Sequence, residues 1–308
     1  MFFPGKTIGL ELFQSGVSFV MAGGSKSIPH IEKYDVVRLP KDVIKPSLKE
    51  QNIIEPLLLK EAIASSYDRL STRNKRVSLS IPDSAGRVML VELETPLKNK
   101  AEGIDHVRWK LKKSFPIDLN EVHLDYQVVR QDSAGAAMVL VGLVSKSVIN
   151  EYEDVVCELG LEPAFIDFTS LNLYRLFSSR LDVQDHLTFI SLYRGSLSLL
   201  IFQDGYLDFS RNKFLGTVVS DPARLYREIN SSLVVYSDAK GGWKPRNVSY
   251  YAAAEEKDIL REMLLEVIGS EPVLMDTDAI TNSSHQQIDR KFIPDVLSAL
   301  GAASRSLR

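Results

Sequence analysis

The chain has 308 residues, 44% of them hydrophobic and 25% charged, with a formal net charge of −3. That length exceeds one small core and makes two domains the expectation, while the slight acidity excludes a bulk nucleic-acid binder but not a local basic patch. A single cysteine, Cys157, excludes an intrachain disulfide and fits a reducing compartment, and no apolar run reaches the roughly 20 residues that span a bilayer.

In chain order, Met1 to Lys6 lack the apolar run of a signal peptide, and Phe2 and Phe3 are read as packing under the first strand. Residues 7–9 and 17–21 are strand-like and flank Phe13-Gln14-Ser15-Gly16, a hairpin with a glycine-bearing turn. A third strand is expected near 33–39, ended by Pro40. Ala62, Ile63, Tyr67 and Leu70 share one face of a helix over 60–70. RVSLSI (76–81) alternates as a half-buried strand does, and 88–93 is a further strand. DHVRWKLKKS (105–114) predicts a basic amphipathic helix with Val107, Leu111 and Trp109 as its apolar side, stopped at Phe115-Pro116. Strands over 122–129 and 138–144 follow, then a helix over 148–159 in which Cys157 reads as a small buried hydrophobe. A strand over 164–168 and a helix over 170–177 come next.

Residues 180–186 are the expected linker, after which the pattern restarts. TFISLYRGSLSLLIFQ repeats the order of TIGLELFQSGVSFVMA: strand, glycine-bearing turn, strand, about 180 residues later, as a duplicated fold would. Gln203-Asp204-Gly205 is a further turn. Helices over 225–236 and 255–268 alternate with strands over 248–251 and 273–275, and a helix over 292–307 closes the chain. Strands alternating with helices indicate α/β layers.

Little else carries chemistry. His30, His106, His123, His186 and His285 are scattered without metal-ligand spacing, so no metal site is expected. No Gly-x-Ser-x-Gly, P-loop or Cys-x-x-Cys occurs. Asp118, Glu121 and Asp125 read as a solvated edge rather than a general acid. Arg108, Lys110, Lys112 and Lys113 have a plain reading, a solvated helix face, and a sharper one, a dock for an acidic partner or anionic lipid headgroups.

Several segments, in order, carry a resemblance: RVSLSIPDS (76–84), VRWKLKKSFPIDLNEVHLDYQVV (107–129), LGLEP (159–163), FID (165–167), GYLDFSRNKFLG (205–216) and ALGAA (299–303). Together they resemble the PilM family of type IV pilus assembly proteins, over nearly the whole chain. The resemblance implies an α/β, actin-like (ribonuclease H-like) two-lobed fold related to FtsA. Its first lobe would be 1–84 and 165–183, with a small α+β subdomain inserted over 85–164. The second lobe would be 184–291, and 292–308 would be a closing helix returning to the first lobe. It further implies a place in the bacterial cytoplasm, peripheral on the inner membrane, where the chain binds the tail of a PilN-like bitopic protein in a groove between the first lobe and the insert. Val88, Leu90, Phe115 and Pro116 are the groove candidates. Pilus motor or platform proteins, and self-association through the insert, are further partners the family suggests.

Actin-like ATPases hold phosphate on two glycine-bearing hairpins of Asp-x-Gly type, where glycine admits close backbone approach and turn amides cradle the charge. Here Glu11-Leu12-Phe13 and Ser191-Leu192-Tyr193 stand at those places. The family's Gly-Gly-Gly turn at adenosine is Ala252-Ala253-Ala254, and the outer subdomain of the second lobe is largely missing between Asn212 and Leu225. The expectation is a degenerate nucleotide site (Glu11, Phe13, Ser191, Tyr193, Ala252, Ala253, Ala254), with no catalytic residue and no ATP or Mg²⁺ cofactor. The chain would then be a non-catalytic scaffold. The alternatives are an ATP-binding actin-like switch in which Glu11 replaces Asp, and a cytoplasmic GspL-like component of type II secretion.

Overall fold

In TIGLELF every second residue is large and apolar, so strand β1 (Thr7–Phe13) turns Ile8, Leu10 and Leu12 to one face of a sheet and Thr7, Gly9, Glu11 and Phe13 to the other. In this computed structural model the described residues are 6–97, 99–112, 115, 117–133, 135–181, 186–216, 221–278, 280 and 289–307. Phe2, Phe3, Lys113, Pro116, His285 and most of the expected linker lie outside the described residues.

The chain continues through β2 (Gly16–Gly24), β3 (Pro29–Arg38), α1 (Pro56–Leu70), β4 (Arg76–Ile81), β5 (Gly86–Leu93), α2 (Lys100–Leu111), β6 (Val122–Gln131), β7 (Ala137–Ser145), α3 (Lys146–Cys157), β8 (Glu162–Phe168) and α4 (Thr169–Phe177). It then runs through β9 (His186–Tyr193), β10 (Ser196–Gln203), β11 (Tyr206–Phe214), α5 (Pro222–Ala239), β12 (Val248–Ala252), α6 (Lys257–Ile268), β13 (Val273–Leu274) and α7 (Ile293–Ser304). Two helices begin earlier than periodicity predicts, for local reasons. Pro56 starts α1 at its first turn, where a missing N–H costs nothing. Asn99 caps α2 by accepting from the Glu102 amide at 3.0 Å.

Two compact units result, one from residues 1–85, 146–180 and 276–308, the other from 86–145 and 181–275. Each holds a five-stranded sheet of the same plan: β3-β2-β1-β4-β8 in the first and β11-β10-β9-β12-β13 in the second. In both, three antiparallel strands are followed by two parallel ones reached through helices. The register repeats too. Glu11 pairs with Ser18 and Phe13 with Gly16, and 180 positions later Ser191 pairs with Ser198 and Tyr193 with Ser196. The duplication suggested by the two hairpins is therefore present strand by strand.

In the first unit, α1 and α3 lie on one side of the sheet and α7 on the other. Leu10, Phe19, Leu59, Ile63 and Tyr67 are buried on the α1 side, with Phe19 and Tyr67 ring centroids 5.9 Å apart. α7 approaches so closely that a Cβ on Gly9 would stand 1.8 Å from the Ala299 carbonyl oxygen, and one on Gly301 2.2 Å from that of Asn172 in α4. Hydroxyls fill the seam. Thr7 Oγ1 donates to the Ala303 carbonyl at 2.9 Å, Ser80 and Ser298 share a hydrogen bond of 2.6 Å, and Ser78 meets Ser306 at 3.2 Å. The last helix thus packs against the first strand.

Two expectations are corrected. The inserted subdomain, placed over 85–164, ends at Ser145, because α3 and β8 belong to the first unit. Glu151 of α3 accepts the Asn52 and Ile53 amides at 2.8 and 2.7 Å, and Tyr152 donates to Asn52 at 3.1 Å, while β8 pairs with β4. Cys157 is exposed, not buried. The buried stripe of α3 is Val148, Ile149, Tyr152, Val155 and Val156, and position 157 falls on the opposite side at 100° per residue. Burial against the helix, then the charges of Glu153 and Asp154, hold its thiol above the ordinary range.

In the second unit, α5 and α6 pack on the second sheet around Leu225, Ile229, Leu233, Tyr250, Leu260 and Leu264. The inserted subdomain is a separate three-stranded sheet, β5-β7-β6, with α2 covering one face through Val107 and Leu111 against Val91, Leu93, Val139 and Leu143. Residues 215–221 alone separate β11 from α5. Among the described residues no helix is long and apolar enough to cross a membrane.

Gly9→Ala is expected to lower stability by about 2–3 kcal/mol in chemical denaturation, because the backbone of α7 must move. Gly160→Ala, whose Cβ would meet nothing within 4 Å at φ +69°, is expected to cost only the left-handed backbone penalty of about 1–2 kcal/mol. Equal losses at the two positions would contradict this account of the seam.

Candidate functional site

In the first hairpin, β1 and β2 join through Gln14 and Ser15. The Phe13 ring lies over Gly16, where a Cβ would stand 2.9 Å from it, and the Arg38 guanidinium stands 5.9 Å from the ring centroid. The turn is closed from below by the Leu39 amide, which donates to the Ser15 carbonyl at 2.9 Å. Glu11 has no exposed surface. It accepts from the Ser18 hydroxyl at 3.3 Å and lies in register with Ser80 of β4, on the sheet face that α7 covers.

The second hairpin has the same construction. Arg194 and Gly195 form its two-residue turn at φ +50° and +73°, the left-handed pair that a tight hairpin needs. The residue after the third strand again closes the turn: the Leu215 amide donates to the Gly195 carbonyl at 2.7 Å and the Gly216 amide at 3.2 Å. Gly195 faces this segment, since a Cβ there would stand 2.5 Å from the Gly216 oxygen. Tyr193 is 3% exposed, its ring 6.4 Å from that of Tyr251 and covered by the Arg194 guanidinium at 5.1 Å. Ser191 is buried and in register with Ser198 and Tyr251.

At the third position, Ala252 ends β12 opposite Leu192. The Ala253 carbonyl accepts the Glu256 and Lys257 amides at 3.0 and 2.9 Å, so the chain turns straight into α6. Ala252 is buried, Ala253 partly so and Ala254 exposed, and none of the three adopts positive φ. Burial, then the neighbouring charge of Glu255, raises the Glu256 carboxyl above its ordinary value.

The sequence model of the family described as type IV pilus assembly protein PilM matches residues 9–220. The chain belongs to the PilM family. No curated protein matches it in sequence. The solved structure described as the PilM-PilN type IV pilus biogenesis complex superposes with a TM-score of 0.81 over 98% of both chains, at 16% identity. The ethanolamine utilization protein EutJ from Carboxydothermus hydrogenoformans superposes at 0.50 over 98% of this chain and 90% of its own, at 10% identity. A Bacteroides thetaiotaomicron protein described as having an actin-like ATPase fold gives 0.49, over 90% and 94%, at 15% identity. The fold of this PilM-family chain is actin-like α/β.

The groove candidates are not brought together. Met89, Val91 and Leu93 of β5 face α2, so alternation turns Val88 and Leu90, both partly buried, to the opposite face of the sheet. Phe115 packs on the α2 side, and Pro116 lies outside the described residues. The acidic trio behaves as a solvated edge: Asp118, Glu121 and Asp125 are exposed, with Asp118 accepting the Asn120 amide at 3.0 Å and Asp125 paired with Lys100 at 2.6 Å. Trp109 corrects another expectation. It is 78% exposed, because Val107 and Leu111 define the buried side of α2 and position 109 falls opposite. A cavity of about 490 Å³ beside it is lined by Arg108, Lys112, Phe115, Ile117 and Leu119. Sequence patterning picked out the basic residues of this helix face but not the cavity beside them, whose Phe115, Ile117 and Leu119 follow the helix in the connection to β6.

Phe13→Ala and Tyr193→Ala are each expected to lower stability by about 3 kcal/mol, because both rings are internal to their units. A loss below about 0.5 kcal/mol in denaturant titration would mean that the rings do not fill these hairpins.

Proposed function

We propose that this PilM-family chain is a non-catalytic scaffold of a type IV pilus machine, held on the cytoplasmic face of the inner membrane by the tail of a PilN-like bitopic protein. The observation that carries the reading is the filling of both phosphate hairpins by the chain's own aromatic rings. Phe13 covers Gly16 and Tyr193 is enclosed by Arg194 and Tyr251. A phosphate chain needs free turn amides and an open approach, and a metal-bound phosphate needs an accessible carboxylate. Glu11 is enclosed and Ser191 offers no charge. The alanine turn adds Cβ atoms where a base would rest on glycine backbone.

What remains is a fold whose inserted subdomain has β5 at the edge of its sheet. Among the described residues β5 pairs with β7 alone, and β11 runs close to it; the tail is read as adding along β5, with Val88 and Leu90 as alternate side-chain contacts. A tail bound this way gains main-chain hydrogen bonds without any nucleotide. The fold similarity to the PilM of a PilM-PilN complex supports a tail of that kind as the ligand.

Titration calorimetry of the full chain tests both halves. Mg-ATP is expected to give no binding heat, while the N-terminal tail peptide of a PilN-like protein from the same cell binds with one-to-one stoichiometry and weakens on Leu90→Glu. Stoichiometric Mg-ATP binding that disappears in Glu11→Ala would replace the scaffold with an ATP-dependent switch.

A further inference from the structure

The end of α2 carries a surface apart from the β5 edge proposed for the partner tail. Trp109 stands 78% exposed, and Lys112 follows it on the same outward side, one helical turn away. Two of the nearby carboxylates face cations: Glu94 pairs with Lys110 at 2.9 Å and Asp105 lies 3.8 Å from Arg108. The exposed Asp118, which also lines the cavity, accepts the Asn120 amide and keeps its charge. Lys112 has no ion pair among the described residues. Beside this rim the cavity of about 490 Å³ has Phe115, Ile117 and Leu119 as an apolar floor.

An indole that projects from a helix end between cations, above an apolar recess, is arranged as side chains are at a bilayer interface. There an amphipathic ring settles at headgroup depth while lysine and arginine meet lipid phosphates. A groove built to grip a peptide would use its largest aromatic as a wall, whereas Trp109 stands clear of its own subdomain. We propose that the Arg108–Trp109–Lys112 corner is a contact site for an anionic phospholipid surface. The few charges involved make the contact weak and salt-dependent. It gains effect when a membrane-anchored partner already holds the chain near the bilayer, because the second contact is then intramolecular.

The full chain without any partner is mixed with vesicles of phosphatidylcholine, with and without a quarter of phosphatidylglycerol. Co-sedimentation and tryptophan fluorescence are read together. The only other tryptophan, Trp243, is partly buried against the core of the second unit and packs edge-on to Tyr236 at 4.7 Å, so a spectral change lost in Trp109→Ala reports Trp109. The expected result is binding to the anionic vesicles alone, with a blue shift and quenching by brominated lipid. Lys112→Glu should weaken it by about tenfold or more, and Trp109→Ala should remove the spectral change while far-ultraviolet dichroism stays constant. No sedimentation with anionic vesicles overturns the proposal, as does binding indifferent to both substitutions. So does a soluble glutamate–leucine peptide that shifts Trp109 where vesicles do not, which would make the corner a protein dock. Because no tail peptide is present, failure here leaves the partner reading standing.

Discussion

The Ala299 carbonyl occupies the space that any side chain at position 9 would need. That one backbone approach ties the last helix to the first strand, and much of the first unit is arranged around it. With α7 so close to the sheet, small residues dominate where it approaches: Thr7 and Gly9 on β1, Ser18 on β2, Ser78 and Ser80 on β4, with Glu11 and Val20 on the same face. Hydroxyls in a dry seam must find partners, and they find them on α7 and its exit, at Ser298, Ala303 and Ser306. At the outer edge Asp167 takes Arg175 at 3.1 Å and also Arg305, and Arg305 covers Phe165. Burial lowers the Arg175 pKa and Asp167 works against that, so the pair holds α4 and the chain end on one carboxylate. Glu11 lies inside this system, which is why its carboxylate behaves as part of a seam rather than as the lip of an open site.

The second unit keeps the same strand order without an equivalent described closing helix, and its face is correspondingly different. Where Glu11 stands, it has Ser191, and where Gly9 stands, Phe189. The two hairpins nevertheless end alike, each with a buried aromatic and each closed by the amide that follows the third strand. Closing a turn through its carbonyl leaves the sheet plan intact, and placing a ring over it fills the approach without disturbing register. A duplicated frame can therefore keep its architecture while the residues at its turns vary, since strand pairing depends on backbone and apolar rows rather than on the residue at the turn.

The sequence made the frame legible because its signals are local and repeated. Alternation located the strands, and the shared order of TIGLELFQSG and TFISLYRGS located the duplication. Segment boundaries were less readable. Helix starts moved because Pro56 and Asn99 act as caps outside the apolar stripe. The end of the insert moved because nothing local in residues 146–164 says which sheet receives them; that depends on Glu151 meeting amides about a hundred positions away. The same limit separated the groove candidates. Val88 and Phe115 are both apolar and near one another along the subdomain, yet strand alternation places them on opposite faces. Cys157 and Trp109 were misplaced for a single reason: each sits in an apolar-looking stretch, but about half a turn from the residues that define the buried stripe.

The inserted subdomain is where sequence, fold and function converge. Its described core lies between α2 and the inner rows of β5, β7 and β6, while β5 stands at the edge of that sheet with β11 close by and Trp109 of α2 faces outward. A strand edge recognises an extended chain through its backbone and tolerates variation in side chains. A cationic aromatic corner recognises a charged interface and tolerates variation in geometry. If both proposed contacts are made, each raises the effective concentration of the other, so attachment would depend on both being present. For a member of a pilus assembly family, the proposed scaffold reading would make attachment depend on partner and surface being found together rather than on a bound phosphate.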